Sequence, residues 1–356
     1  MTKTTRVMLA VLAVCGTSAA MAQSSVTLYG RVNTSIESQQ LKKAGEVKRS
    51  ASGMVSNGSF IGFKGVEDLG NGLKAGFVLE SNFNADNGSG TASGLDFTRN
   101  SEVNLAGNFG MLRLGTFDPA SYLATADYIS MHNHDTGTSA DALYSFNGRT
   151  QNKIAYRTPE FAGFTGEIQY SFGEKSGFGT RGDEVRGAVD LGINYANGPL
   201  GLGFGYSNEN SKATGGIGAQ KSKDQYAIRA SYAVGSLTLG AYYQRAEEEV
   251  AGSTSSKRNI YRLAAMYTMG ASEFHANVGR ASKLKTRTGA VANSAATQWT
   301  LAYNYNLSKR TKVYALYSSI NNGVNSDFGT DRFFNATGTT SGADFRTFGI
   351  GVRHLF

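Results

Sequence analysis

A single cysteine, Cys15, and three prolines, Pro119, Pro159 and Pro199, are all that 356 residues hold of two strongly constraining residue types. So little cysteine excludes a disulfide framework and a thiolate metal site. Long apolar runs are missing as well: beyond residue 22 none approaches the roughly 20 residues that a spanning helix needs. Charge is sparse, at 17% of residues, and the formal net charge of +8 is not gathered into any one run. A nucleic-acid partner therefore has little support. Of the four histidines, His132 and His134 stand two apart, with no cysteine and no strand-borne third ligand beside them, so neither a metal nor any other cofactor is expected.

What the chain has instead is 45 glycines, 20 phenylalanines and 18 tyrosines. Chains rich in glycine and aromatics but poor in proline fit many short strands better than helices. Alternation bears this out along the whole length. Val26, Leu28, Val32 and Ile36 interleave with Thr27, Tyr29, Arg31, Asn33 and Ser35, and segments such as "LKAGFVLESNF", "QYAIRASY" and "TKVYALY" behave alike. Period two in segment after segment means sheets with one apolar and one polar face.

Residues 1–22 read as a cleaved secretory signal, with Lys3 and Arg6 before a short apolar run and the small-residue site Ala20-Met21-Ala22 ahead of Gln23. Residues 23–356 then form one domain. Removal of the signal takes Cys15 with it and lowers the formal charge to +6.

Two all-β architectures compete. In a soluble sandwich the apolar faces meet each other, whereas in a membrane barrel they meet lipid and the polar faces line a lumen. The tyrosines separate them. Tyr195, Tyr232, Tyr267 and Tyr305 sit on the apolar parity just before short turns, while Tyr170, Tyr206 and Tyr243 share that parity and precede long polar loops. Two rings of tyrosine at opposite strand ends are the aromatic girdles of a barrel in a bilayer. Short turns at one end and long loops at the other point the same way. The reading is all-β, a 16-stranded antiparallel transmembrane β-barrel, beginning with strands at 25–36 and 59–67 and closing with one at 344–356. Closure requires the last strand to pair with the first, because an open edge in lipid costs several kcal/mol per unpaired backbone group. Phe356 falls on the outward face of that last strand.

Strand parity also yields a basic inner wall: Arg149, Lys153 and Arg157 share a face opposite Ile154 and Tyr156, and Arg31, Lys64 and Lys74 are inward by the same test. Arg99 is a weaker candidate, since it shares parity with Val103 and Leu105.

The stretches "SSVTLYGRVN", "SFIGFKGVEDLGNGLKAGFVLES", "MLRLGTF", "NKIAYRTPEFAGF" and "GVRHLF" resemble the general trimeric porins of Gram-negative outer membranes, in particular the beta-proteobacterial branch. The resemblance covers residues 23–356 in order. It implies a homotrimer in outer-membrane lipid, a terminal aromatic strand ending at Phe356 that the outer-membrane assembly machinery reads, and a water-filled pore narrowed by an inward-folded third loop. That loop corresponds to Asp118 to Phe146, where Asp127, Asp135 and Asp141 are candidates to face Lys64, Arg99, Arg149 and Lys153 across the constriction. Two departures weaken the family's arginine cluster: Phe60 stands where an arginine commonly precedes "IGFKG", and Thr116 where one commonly follows "RLG". A weak anion preference or near-neutrality is expected.

No nucleophile–base pairing points to an enzyme. "GFGTRG" at 177–182 matches a phosphate-loop pattern, but it sits in a loop with no helix after it. The expected function is passive diffusion of ions and small hydrophilic solutes; a substrate-selective channel or a surface adhesin on the same barrel is the alternative.

Overall fold

A computed structural model describes residues 25–90, 94–126, 142–144, 151–174, 184–212, 220–250, 255–329, 333 and 341–356. Its first strands are β1 (Ser25–Lys43), β2 (Arg49–Ser56), β3 (Phe60–Gly70), β4 (Leu73–Asn82), β5 (Asn100–Gly107), β6 (Gly110–Thr116), β7 (Lys153–Arg157), β8 (Phe164–Glu174) and β9 (Glu184–Asn197). They continue as β10 (Leu200–Lys212), β11 (Gln220–Val234), β12 (Leu237–Val250), β13 (Ser256–Met269) and β14 (Ser272–Ala281). The last are β15 (Lys285–Thr286), β16 (Gly289–Ala290), β17 (Ala296–Asn306), β18 (Thr311–Asn322) and β19 (Ala343–Leu355). One short helix, α1 (Ala120–Thr125), follows β6.

Every strand pairs antiparallel with its neighbours, and β19 pairs with β1 from Ala343↔Lys43 to Leu355↔Arg31, so the sheet closes on itself. β2 and β3 pair with the upper and lower halves of β1 and form a single wall strand interrupted at 57–59; β15 and β16 are a small hairpin in a loop. The wall therefore has 16 strands. None of the described helices is long and apolar enough to cross a membrane, and the strands take that role.

The first hairpin is longer than the alternation suggests. β1 runs on to Lys43 and β2 covers part of what the sequence pattern leaves as a loop. Here the outward positions carry Ser38, Gln40, Ser50 and Ser52, which are polar, so the apolar signal stops while the backbone ladder continues.

The two faces differ in kind. Inward positions of β1 are Arg31, Asn33, Ser35, Glu37 and Gln39, all buried, whereas Val32 and Ile36 on the other face are exposed. Aromatic pairs stack across outward positions at both strand ends. Toward the long loops they are Tyr206 with Tyr226 (5.0 Å between centroids), Tyr243 with Tyr261 (5.3 Å) and Trp299 with Tyr317 (5.2 Å); toward the short turns, Phe164 with Tyr195 (4.5 Å) and Phe274 with Tyr303 (5.2 Å). From β19 round to β6 no outward position of the described residues carries a tyrosine or tryptophan.

Candidate functional site

Charged and aromatic side chains on the inner face form three groups besides a cluster of Glu273 with Lys312 and His275 near the short turns. The first lies on β1, β3 and β4. Phe60 pairs with Arg31 across the strands, and its ring centroid is 5.3 Å from the Arg31 guanidinium and 4.5 Å from that of Arg99. Cation–π contacts of this kind contribute about 0.5–1 kcal/mol each where partly exposed. Arg99 also donates to Glu80 Oε2 at 3.0 Å. It reaches this inner cluster because it precedes β5, where strand parity has not yet set in. Tyr29 donates to Glu80 Oε1 at 2.7 Å, and the Lys64 ammonium stands 4.8 Å from the Tyr29 ring. Thr116 pairs with Ser101 on the outward face, so an arginine there would not point into the lumen.

The second group is a dense ion network on β5 to β9. Arg113 grips Glu102 with two hydrogen bonds, Nε to Oε1 at 3.0 Å and Nη2 to Oε2 at 2.6 Å, and reaches Glu167 Oε1 with Nη1 at 2.6 Å. The fork of a guanidinium suits such bidentate contact. Arg157 donates to the other oxygen of Glu167 at 2.6 Å. Lys153, also inward and buried, donates to Gln169 Oε1 at 2.7 Å, and Gln169 in turn donates to Glu167 and to the Asp118 carbonyl. Phe117, where the chain leaves β6, lies under both cations, 4.0 Å from Arg113 and 5.4 Å from Lys153. Within this patch the three cations Arg113, Lys153 and Arg157 stand among four acids, Glu102, Glu167, Asp190 and Asp118, so no positive charge is left over.

Asp190 ties the network to α1. It accepts from the Ser121 backbone N–H at 2.6 Å and from its hydroxyl at 2.7 Å. The helix packs on inward positions of β9 and β10 that are glycines: a Cβ at Gly203 would overlap the Ala124 carbonyl, and one at Gly205 would come within 2.8 Å of the Ser121 carbonyl. Without side chains at these points the wall lets the helix backbone approach directly. Arg229 then donates to the Ala124 carbonyl at 2.7 Å.

The third group, on β12 to β17, is different in charge. Arg262 donates to Asn277 Oδ1 at 2.7 Å and Gln298 Oε1 at 2.8 Å, and Arg258 donates to the Ser294 carbonyl at 3.0 Å. Neither makes an ion pair with a described residue, and their acceptors here are uncharged. Tyr144 reaches this wall, with its ring 5.1 Å from both Arg262 and the ring of Tyr242, and the Ala142 N–H donates to Gln298 at 3.2 Å.

Of the residues that the sequence suggests for a constriction, Lys64, Arg99 and Lys153 lie on or reach the inner face, in two separate groups. Asp127, Asp135, Asp141 and Arg149 lie outside the described residues. Arg113, Glu102, Glu167, Asp190, Arg229, Arg258 and Arg262 went unsuspected. The signal for the arginines was present: Arg113 stands between Leu112 and Leu114, and Arg262 between Tyr261 and Leu263, so the parity test that selected Lys153 selects them equally. Among the described residues no cluster of three or more histidine or acidic side chains is arranged to hold a metal.

Comparison with known proteins places this geometry in context. A protein-family model for Gram-negative porins matches residues 8–325. Outer membrane porin protein 32 of Delftia acidovorans is 35% identical over 371 aligned residues, covering 99% of this chain and 100% of the relative. An outer membrane porin protein of Bordetella pertussis is 29% identical, covering 95% of this chain and 96% of the relative. Among solved structures, the anion-selective porin from Comamonas acidovorans superposes with a TM-score of 0.77 at 31% identity, covering 94% of this chain and 100% of that one. The trimer form of OmpT from Vibrio cholerae shares the fold, with a TM-score of 0.66 at 19% identity over 94% and 99%.

Proposed function

Because the chain belongs to the Gram-negative porin family, we propose that it conducts by passive diffusion through a water-filled lumen, letting ions and small hydrophilic solutes cross without energy coupling. Porins are channels and not enzymes, and the inner wall serves as a field for passing solutes. The observation that carries this reading is the closed 16-strand barrel with a polar inner face and an apolar, aromatic-girdled outer one.

The segment from 117 to 144 narrows the lumen. Support comes from its two described parts: α1 lies on β9 and β10, and 142–144 meet Tyr242 of β12 and Gln298 of β17, with Ala142 packed on Leu41, Ile320 and Phe345 of β1, β18 and β19 across the barrel. Asp127, Asp135 and Asp141 are its candidates to face Lys64, Arg99, Arg149 and Lys153. Selectivity is weakly anionic, set by Arg258 and Arg262, because in the network around Arg113 the acids already offset the cations and Phe60 contributes no charge. Similarity to the anion-selective porin from Comamonas acidovorans supports the same sign. The barrel functions as a homotrimer in the outer membrane, with the tyrosine-free face from β19 to β6 turned toward its partners and the long loops outside the cell. It arrives there after loss of residues 1–22, and assembly depends on Phe356.

Single-channel recording of the purified protein in planar bilayers, in asymmetric salt, tests the proposal. Discrete steps with a reversal potential displaced slightly toward anions are expected. A folded protein that conducts nothing sinks the channel, and a cation preference sinks the reading of the wall.

A further inference from the structure

On the inner face of β10 to β13, toward the long loops, charge alternates in sign from strand to strand. Glu209 stands opposite Lys223, Lys223 opposite Glu248, and Glu248 lies one step diagonally from Arg258, which pairs with Ala246. Glu248 makes no hydrogen bond or ion pair with a described residue. Arg258 is held on one side only. Its Nη2 donates to the Ser294 carbonyl at 3.0 Å, and its guanidinium lies 4.9 Å from the centroid of the Phe328 ring. Its Nε is buried with no acceptor, and Nη1 has none among the described residues.

Between these two charges the wall opens into a hollow of about 420 Å³, lined by Glu248 and Arg258 and by Tyr144, Phe328, Ile260 and Leu284. That volume suits a small ligand. Asp224, Glu247 and Lys257 edge the hollow from the outward parity, where Glu247 stands opposite Lys257 and is engaged by Arg245, and Asp224 accepts from Tyr206, Asn208 and Ser222. The aromatic walls are fixed in place. The Tyr144 ring lies 5.1 Å from that of Tyr242, and the Asn322 side chain accepts from the Phe328 N–H at 3.1 Å and donates to the Phe328 carbonyl at 2.8 Å. A neutral solute would leave both charges unanswered. A simple anion on Arg258 would meet Glu248, and a simple cation on Glu248 would meet Arg258. The solute that fits carries both charges and an apolar body.

We propose that this hollow binds a zwitterionic α-amino acid with an aromatic side chain, its carboxylate on Arg258, its ammonium on Glu248 and its ring against Tyr144 and Phe328. Diagonal positions on one face of a sheet lie about 7–8 Å apart, which an α-zwitterion spans with a hydrogen bond of about 2.8 Å at each charged end. Binding of this kind is weak enough for release, as passage through a channel requires. The inference deepens the channel reading and rests on it for access, since the hollow faces the lumen.

Ligand-observed NMR titration of the detergent-purified protein tests it, with L-phenylalanine as the probe. The controls each lack one feature: 3-phenylpropionate the ammonium, phenethylamine the carboxylate and glycine the ring. The unaltered protein should bind phenylalanine more tightly than all three. Glu248→Gln and Arg258→Gln should each weaken phenylalanine about tenfold or more, the worth of one charged hydrogen bond. Glu248→Gln should at the same time tighten 3-phenylpropionate, a reversal that a merely structural role for Glu248 would not produce. Equal binding of 3-phenylpropionate and phenylalanine by the unaltered protein overturns the zwitterion, and equal binding of glycine overturns the aromatic walls. Wild-type affinity for phenylalanine in both folded variants overturns the location. The ligand series on the unaltered protein decides the question even where a variant fails to fold. A protein that conducts but does not bind phenylalanine overturns this site alone, whereas one that binds it yet conducts nothing overturns the channel and leaves the site standing.

Discussion

Gly30 and Phe356 exchange both of their backbone hydrogen bonds across the seam of the barrel, Gly30 N–H to Phe356 O at 3.1 Å and Phe356 N–H to Gly30 O at 3.2 Å. The absence of a side chain at Gly30 is what admits the phenylalanine: a Cβ there would sit 2.6 Å from Phe356 Cζ. We predict that Gly30→Val drives the ring off the outward face and loosens the seam at the end of β1, where unpaired backbone in lipid costs several kcal/mol per group. The check is the fraction of heat-modifiable, folded protein on unheated SDS gels. It should fall well below wild type for Gly30→Val, and for Phe356→Asp as well; wild-type yields of both would remove the seam from the account of assembly.

A second prediction concerns Arg113, which holds two buried acids. Arg113→Gln leaves Glu102 and Glu167 facing each other with Arg157 as the remaining guanidinium, and breaking a buried pair on one side costs about 3–5 kcal/mol. The unfolding temperature in detergent should drop markedly. Adding Glu167→Gln should restore much of it, because one stranded charge is then gone. Equal melting of all three proteins would show the network to be energetically idle.

Arg262 should behave in the opposite way. Its acceptors, Asn277 and Gln298, are uncharged, so Arg262→Gln strands no acid and should leave the folded fraction near wild type. Selectivity is where the change appears. Arg262 is buried beneath Tyr144, so its field reaches the passage partly through protein; even at the dielectric of water a unit charge about 6 Å from an ion contributes about 0.7 kcal/mol, or roughly threefold in relative occupancy. The reversal potential should move toward cations by a corresponding amount, more at 0.1 M salt than at 1 M, where the screening length falls from about 10 to about 3 Å. No movement at either salt would show that passing ions do not feel this wall.

Phe60 offers the complementary gain. Phe60→Arg adds a third guanidinium beside Arg31 and Arg99 and should displace the reversal potential toward anions, whereas Thr116→Arg, on the outward face, should leave it unchanged. An equal response of the two variants would contradict the assignment of faces. Phe60→Ala removes the ring that both arginines contact and should broaden the conductance without reversing its sign.

The glycine bed under α1 gives a last prediction. Gly203→Leu places a side chain where the Ala124 carbonyl lies and should push the helix away from the wall. Single-channel conductance should change by a measurable step while the barrel still folds, because the substitution leaves the strand ladder of β9 to β11 intact. Conductance identical to wild type would mean that residues 117–126 do not restrict the passage.

The sequence by itself determined the class of fold, the strand count, the closing seam and the face that most strand residues take, because all of these follow from a period of two that neighbouring residues carry; Arg99 and Thr116, at strand ends, are the exceptions. It determined the girdles as well, since a tyrosine at a strand end is a local fact. Polar extensions such as 37–43 and 49–56 escaped, because a strand that rises out of the apolar band keeps its hydrogen bonds but loses its alternation. Only the tertiary structure decided which charges cancel. Glu102, Arg113 and Glu167 come together from β5, β6 and β8, and a helix between β6 and β7 reaches across to glycines on β9 and β10. Periodicity assigns a face but not the neighbours across it, and the net field that a passing ion meets is the sum over those neighbours.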